Sequence, residues 1–106
     1  MGEVWSSGVW TVKPGREAEF AEGWREFAEW ATANHDAVGA WLLRDRDRPS
    51  EYISIGPWPS DAALAAWRAD PGFGSRVARL RELLDGFEPR TLDPVVSVGV
   101  GPRPSG

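Results

Sequence analysis

At 106 residues, with 42% apolar and 26% charged side chains, the chain is long enough for one hydrophobic core and too short for two. A net charge of −4 leaves no cationic excess for non-specific nucleic-acid binding, and no apolar run approaches the roughly 20 residues of a membrane span. Cysteine is absent and His35 is the single histidine, which excludes disulfides, thiolate metal sites, cysteine nucleophiles and a multi-histidine metal centre within one chain.

Trp5 to Val12 is rich in strand formers and runs into the turn pair Pro14–Gly15. From Arg16 to Ala33, Phe20, Trp24, Phe27 and Ala31 recur on one helical face, with Glu19, Glu22, Glu26 and Glu29 opposite on a solvated one. Asn34 to Gly39 is a connection, Ala40 to Arg44 a short apolar strand, and Asp45 to Ser50 a charged loop of mixed sign. Glu51 to Ile55 alternates as a strand and is expected to end at Gly56–Pro57. Ser60 can cap a helix over Asp61 to Ala69, turning Leu64 and Trp67 inward. Asp70 caps the next helix, with Pro71 in its first position; this helix is expected to reach about Leu84, bury Phe73, Val77, Leu80 and Leu84, and stop at Gly86. A last strand lies within Glu88 to Val98, strongest at Val95–Val98. Residues 1–98 thus read as one domain, and 99–106 as a flexible tail.

The order β-α-β-β-α-α-β suits an α+β, ferredoxin-like fold, a four-stranded antiparallel sheet with helices on one face. Both faces of the first strand carry large apolar groups: Trp5 and Val9 on one, Val4, Trp10 and Val12 on the other. An open sheet face bearing tryptophan is an association site, so a homodimer closing into an α/β barrel is expected. Seven tryptophans, far above ordinary usage, point the same way, to a pocket, an interface or both.

Val12-Lys13-Pro14-Gly15-Arg16-Glu17-Ala18-Glu19-Phe20 resembles the strand-to-helix entry of the antibiotic biosynthesis monooxygenase family. Trp58-Pro59-Ser60-Asp61, continuing to Trp67 and then Phe73, is similar to that family's tryptophan–serine–helix–aromatic pattern. Val38–Gly39 and Trp41-Leu42-Leu43-Arg44 sit where it places a glycine and the second strand. The resemblance covers about residues 4 to 98 and implies a dimeric α/β barrel. It also implies oxygenation of a flat aromatic metabolite, polyphenol- or anthrone-like, with no metal or flavin cofactor.

Such chemistry needs an apolar slot and a few polar groups to promote and stabilise deprotonation. Trp24, Phe27, Trp41, Trp67 and Phe73 are the candidate walls, and His35, Asn34, Tyr52 and Arg44 the candidate catalytic groups. Each has a bland reading beside the chemical one. His35 can cap helix carbonyls, Trp67 can fill the core, and Tyr52 can pack its ring within a strand. A related haem-degrading branch places an asparagine on the first strand and an axial histidine on the third helix; the corresponding positions are Gly8 and Val77, which disfavours haem degradation. The family often carries a polar residue just before the tryptophan ending the third strand, where this chain has Gly56–Pro57. That departure keeps open a non-catalytic, dimeric small-molecule-binding or accessory protein. With no signal-peptide pattern at Met1–Gly2–Glu3, the expected setting is the cytoplasm, and neither nucleic acid nor membrane is an expected partner.

Overall fold

The computed structural model describes residues 3–99. In chain order the elements are β1 (Val4–Val12), α1 (Glu17–Asn34), β2 (Trp41–Arg44), β3 (Glu51–Trp58), α2 (Asp61–Ala69), α3 (Pro71–Arg81) and β4 (Leu84–Leu92). The four strands form one antiparallel sheet in the order β2-β3-β1-β4, the ferredoxin-like topology, with the helices on one face. Among the described residues no helix is long and apolar enough to cross a membrane.

The central strand β1 sets the layers. Trp10 lies opposite Tyr52 of β3 and Phe87 of β4, and Gly8 opposite Ser54 and Pro89, so these residues share the helix-covered face. Val4, Trp10 and Val12 are buried there against Phe20, Trp24 and Phe27 of α1 and Leu64 and Trp67 of α2. The helix ends behave as their side chains dictate. Ser60 Oγ accepts from the Ala63 N–H at 3.1 Å, and Asp70 Oδ1 from the Gly72 N–H at 2.7 Å, with Pro71 opening α3.

Three boundaries differ from the sequence expectation, each for a structural reason. β3 does not stop at Gly56–Pro57 but continues to Trp58. The Pro57 carbonyl accepts from the Val38 N–H, so the proline's missing donor also faces that side, beyond the last β2–β3 pair, where no ladder bond is lost. α3 ends at Arg81 rather than Leu84: a tight turn from the Leu80 carbonyl to the Leu83 N–H redirects the chain, and Gly86 pairs with Thr11 inside β4 instead of stopping a helix. The last strand is Leu84–Leu92, not Val95–Val98. β4 needs β1 beside it, and β1 is used up between Val12↔Leu84 and Trp5↔Leu92, leaving Val95 and Val98 about nine-tenths exposed. Pairing overrode β propensity. Apart from Gly99, the expected tail lies outside the described residues.

Among the described residues no helix covers the opposite sheet face. By register it carries Trp5 and Val9 of β1, Trp41 and Leu43 of β2, Ile53 of β3 and Leu92 of β4. Leu43, Ile53 and Leu92 are exposed.

Candidate functional site

Between the sheet and the helices lies a cavity of ≈ 70 Å³. Its floor is the helix-covered face of the sheet, chiefly Ser6, Gly8, Trp10, Ser54, Trp58 and Phe87. Trp24, Phe27 and Ala31 of α1 form one wall; Trp67 and Arg68 of α2 and Phe73 and Val77 of α3 form the other. The aromatic rings hold each other in place. Trp67 stands 4.7 Å from both Trp58 and Phe73 and 5.6 Å from Phe27, between ring centroids, while Phe87 stacks on Trp10 at 4.1 Å.

The polar atoms of the floor form two indole–hydroxyl pairs. Trp10 Nε1 donates to Ser54 Oγ, and Trp58 Nε1 to Ser6 Oγ, each at 3.0 Å. Ser6 Oγ in turn donates to the Gly56 carbonyl at 3.4 Å. Trp67 has no such partner: its Nε1 is buried without an acceptor among the described residues. An unmade bond of this kind costs about 1–3 kcal/mol and needs an explanation.

Gly8 is required by this packing. A Cβ there would stand 2.9 Å from Trp10 Nε1 and 3.1 Å from both the Phe87 ring and Ser54 Oγ. A side chain as large as asparagine therefore has no room at position 8, and Val77, which also lines the cavity, offers no metal ligand. Among the described residues no group of three or more His, Cys, Asp or Glu side chains is placed to hold a metal.

Of the expected walls, Trp24, Phe27, Trp67 and Phe73 line the cavity. Trp41 does not; its register puts it on the open sheet face, with its ring packed over Gly39. None of the four expected catalytic groups lines the cavity either. His35, just past α1, places Nε2 2.9 Å from Asp70 Oδ2, with its ring edge-on to Trp30. Asn34 Nδ2 donates to the Trp30 carbonyl one helical turn back. Tyr52 is buried with its ring 5.3 Å from that of Phe20, and Arg44 is exposed at the end of β2. The Asp70 carboxyl is held below its ordinary range first by the Gly72 N–H and then by His35.

Among the described residues, the only charged side chain in the cavity lining is Arg68, which sequence reasoning passed over. Its Nη1 donates to Thr91 Oγ1 at 2.8 Å, and partial burial lowers its pKa. Ser6 and Ser54 were also missed, although alternation within β1 and β3 was enough to place both on a core-facing position, where a hydroxyl demands a partner.

A profile described as antibiotic biosynthesis monooxygenase matches residues 7–79. The crystal structure of SnoaB, a cofactor-independent oxygenase from Streptomyces nogalater, superposes with a TM-score of 0.84 at 28% identity, covering 92% of this chain and 98% of that one. A putative antibiotic biosynthesis monooxygenase from Caulobacter crescentus shares the fold, with a TM-score of 0.81 at 22% identity over 90% of this chain and 92% of its own. A conserved Bacteroides thetaiotaomicron protein of unknown function, described as a possible oxidoreductase, superposes at 0.77 with 13% identity, covering 86% and 96% of the two chains. No curated protein matches the chain.

Proposed function

Because the chain belongs to the antibiotic biosynthesis monooxygenase family, we propose that it is a cofactor-independent monooxygenase acting on a flat, anthrone- or polyphenol-like metabolite held between helices and sheet. The observation that carries this reading is Trp67, a cavity-wall indole whose N–H is buried and unpartnered. Such a donor suits an oxygen atom on which negative charge develops. The aromatic walls suit a planar ring system, and the apolar lining favours excluding water from the reacting carbon.

The reaction follows from the substrate. An anthrone methylene loses a proton and delivers electrons to O₂; a C–O bond forms, the O–O bond breaks, and the second oxygen leaves as water while the carbon becomes a carbonyl. The protein's part is to clamp the ring, shield it and stabilise the enolate oxygen through Trp67. Among the described residues no carboxylate, imidazole or phenol lines the cavity, so the first proton passes to solvent from a substrate acidic enough to ionise unaided. At ≈ 70 Å³ the cavity is well below the roughly 300–1,000 Å³ of ligand sites. Uptake of a polycycle therefore requires the partly exposed Phe73 to swing outward.

A second copy of the chain is proposed to cover the open sheet face, giving a cytoplasmic homodimer. The exposed Leu43, Ile53 and Leu92, with the half-buried Trp5 and Val9 beside them, support this as an apolar face that no described helix covers. The lack of an ionisable base in the cavity also favours one alternative, a dimeric binder without turnover. Oxygen uptake separates the two: with an anthrone and no added cofactor, the oxygenase consumes one O₂ for each anthraquinone formed. Saturable anthrone binding with no uptake above the spontaneous rate would leave only the binder.

A further inference from the structure

We infer that Arg68 is a specificity-determining residue, selecting substrates whose aromatic core carries an anionic substituent such as a carboxylate; this rests on the aromatic-cavity reading above. Three observations converge on it. First, among the described residues Arg68 is the only charged side chain lining a cavity otherwise built of aromatic rings, small apolar groups and serines, in a chain whose acids outnumber its bases by 16 to 12. An acidic protein has presented a lone cation to its cavity. Second, no carboxylate among the described residues lies within ion-pair distance of Arg68, and the other described arginines without one, Arg44, Arg46, Arg76, Arg79 and Arg81, do not line the cavity. Its one protein acceptor is the neutral Thr91 hydroxyl at 2.8 Å. A guanidinium carries five N–H donors in a planar fork, so most of them remain for a ligand.

Third, a buried polar group of the lining without a partner among the described residues is also a donor. Trp67, nine-tenths buried, carries an indole N–H without an acceptor, whereas the Trp10 and Trp58 donors are matched by Ser54 and Ser6. Two donors are thus available to a ligand, one neutral and buried, one cationic and exposed. The complementary ligand offers acceptors at both places and a negative charge at the outer one. The Thr91 hydroxyl fixes the side chain against β4, reducing the freedom lost when a ligand is gripped.

The test uses the full chain and a matched pair of redox-inert ligands, anthraquinone-2-carboxylate and its carboxamide, titrated calorimetrically into wild type, Arg68→Met and Arg68→Lys. The expected result is a carboxylate preference of about tenfold in wild type, the scale of one charge-assisted contact. Arg68→Met should bring that ratio to near one, and Arg68→Lys should retain part of it, because a point charge replaces the fork. Arg68 is exposed and bonded only to Thr91, so both variants should fold, which a melting curve checks. Equal affinity of the wild type for both ligands, or a preference that survives in Arg68→Met, overturns the assignment while leaving the cavity reading intact. Failure of the wild type to bind either ligand overturns both.

Discussion

One carboxylate ties three helices together: Asp70 Oδ2 meets His35 Nε2 at 2.9 Å, while Oδ1 of the same group caps α3 through the Gly72 N–H at 2.7 Å. Asp70 closes α2 and opens α3, the helices that bear Trp67 and Phe73, and His35 closes α1. The single histidine thus serves as a strut at the joint of the cavity wall. Replacing His35 with Ala should lower the melting temperature by a few degrees and leave the oxygenation rate within about threefold. A loss of about 10²–10⁴-fold, the range for removing a general base, would instead place the imidazole in the chemistry.

The same pair makes a prediction about acid. The folded Asp70 carboxyl titrates below its reference value of 3.8, because the Gly72 N–H and then His35 favour the ionised form. A depressed carboxylate adds stability above its unfolded pKa and loses it as pH falls through the lower, folded one. The melting-temperature gap between wild type and Asp70→Asn should therefore be full above about pH 5 and shrink below about pH 4. A gap that stays constant down to pH 2.5, on the order of the range tested, would show that the charge is immaterial.

Trp67 separates wall from filler. Trp67→Phe keeps a ring and removes the orphan N–H, so stability should change by less than about 1 kcal/mol, while anthrone affinity falls several-fold. Trp67→Ala should lose less than the roughly 3–5 kcal/mol of a fully packed aromatic, because one side of the ring already borders a cavity. Urea titrations and anthrone binding on both variants read these outcomes. Unchanged affinity in Trp67→Ala would remove the residue from the site.

The serines under the indoles make the opposite prediction. Ser54→Ala removes only a hydroxyl, yet it strands the Trp10 Nε1 donor that now has it at 3.0 Å. Denaturant midpoints should report a loss of about 1–3 kcal/mol.

Assembly is read on the other face. Ile53, at the middle of the open sheet, is already partly exposed, so Ile53→Lys should leave the single chain folded. If two copies meet there, sedimentation should move from dimer to monomer at low micromolar concentration; a wild type that is monomeric across that range sinks the barrel.

The layers were legible in the sequence because period carries them. Phe20, Trp24, Phe27 and Ala31 are the buried face of α1, as their spacing indicates, and Ser60 and Asp70 cap the helices that follow them. What failed was whatever depends on a partner distant in sequence. Val95–Val98 has strong strand propensity and nothing beside it to pair with, while Leu84–Leu92, with its Gly86 and Pro89, is a strand because β1 is there. The site was legible on its apolar side only. Ring size and helical spacing pick out Trp24, Phe27, Trp67 and Phe73, but Trp41 differs from them only by which sheet face its register assigns. Chemical reactivity picks out His35, Asn34, Tyr52 and Arg44 as the polar candidates. The groups at the cavity are instead hydroxyls, indole donors and one arginine, whose significance lies in which of them remains unmatched.

Apolar residues on both faces of β1 have a consequence for how the chain finds its fold. In most half-buried strands, a slip of one residue turns polar side chains into the core and is rejected at once. Here the slip would exchange Val4, Trp10 and Val12 for Trp5 and Val9, and hydrophobicity barely distinguishes the two sets. The correction falls to finer features. Gly8 leaves the space into which the Trp10 indole and the Phe87 ring fit, and Ser6 and Ser54 stand where the Trp58 and Trp10 donors arrive. A slipped sheet would bring the side chain of Ser7 or Val9 into that space and strand two indole N–H groups. In this protein a missing side chain and two small hydroxyls, rather than the greasy pattern, proofread the register.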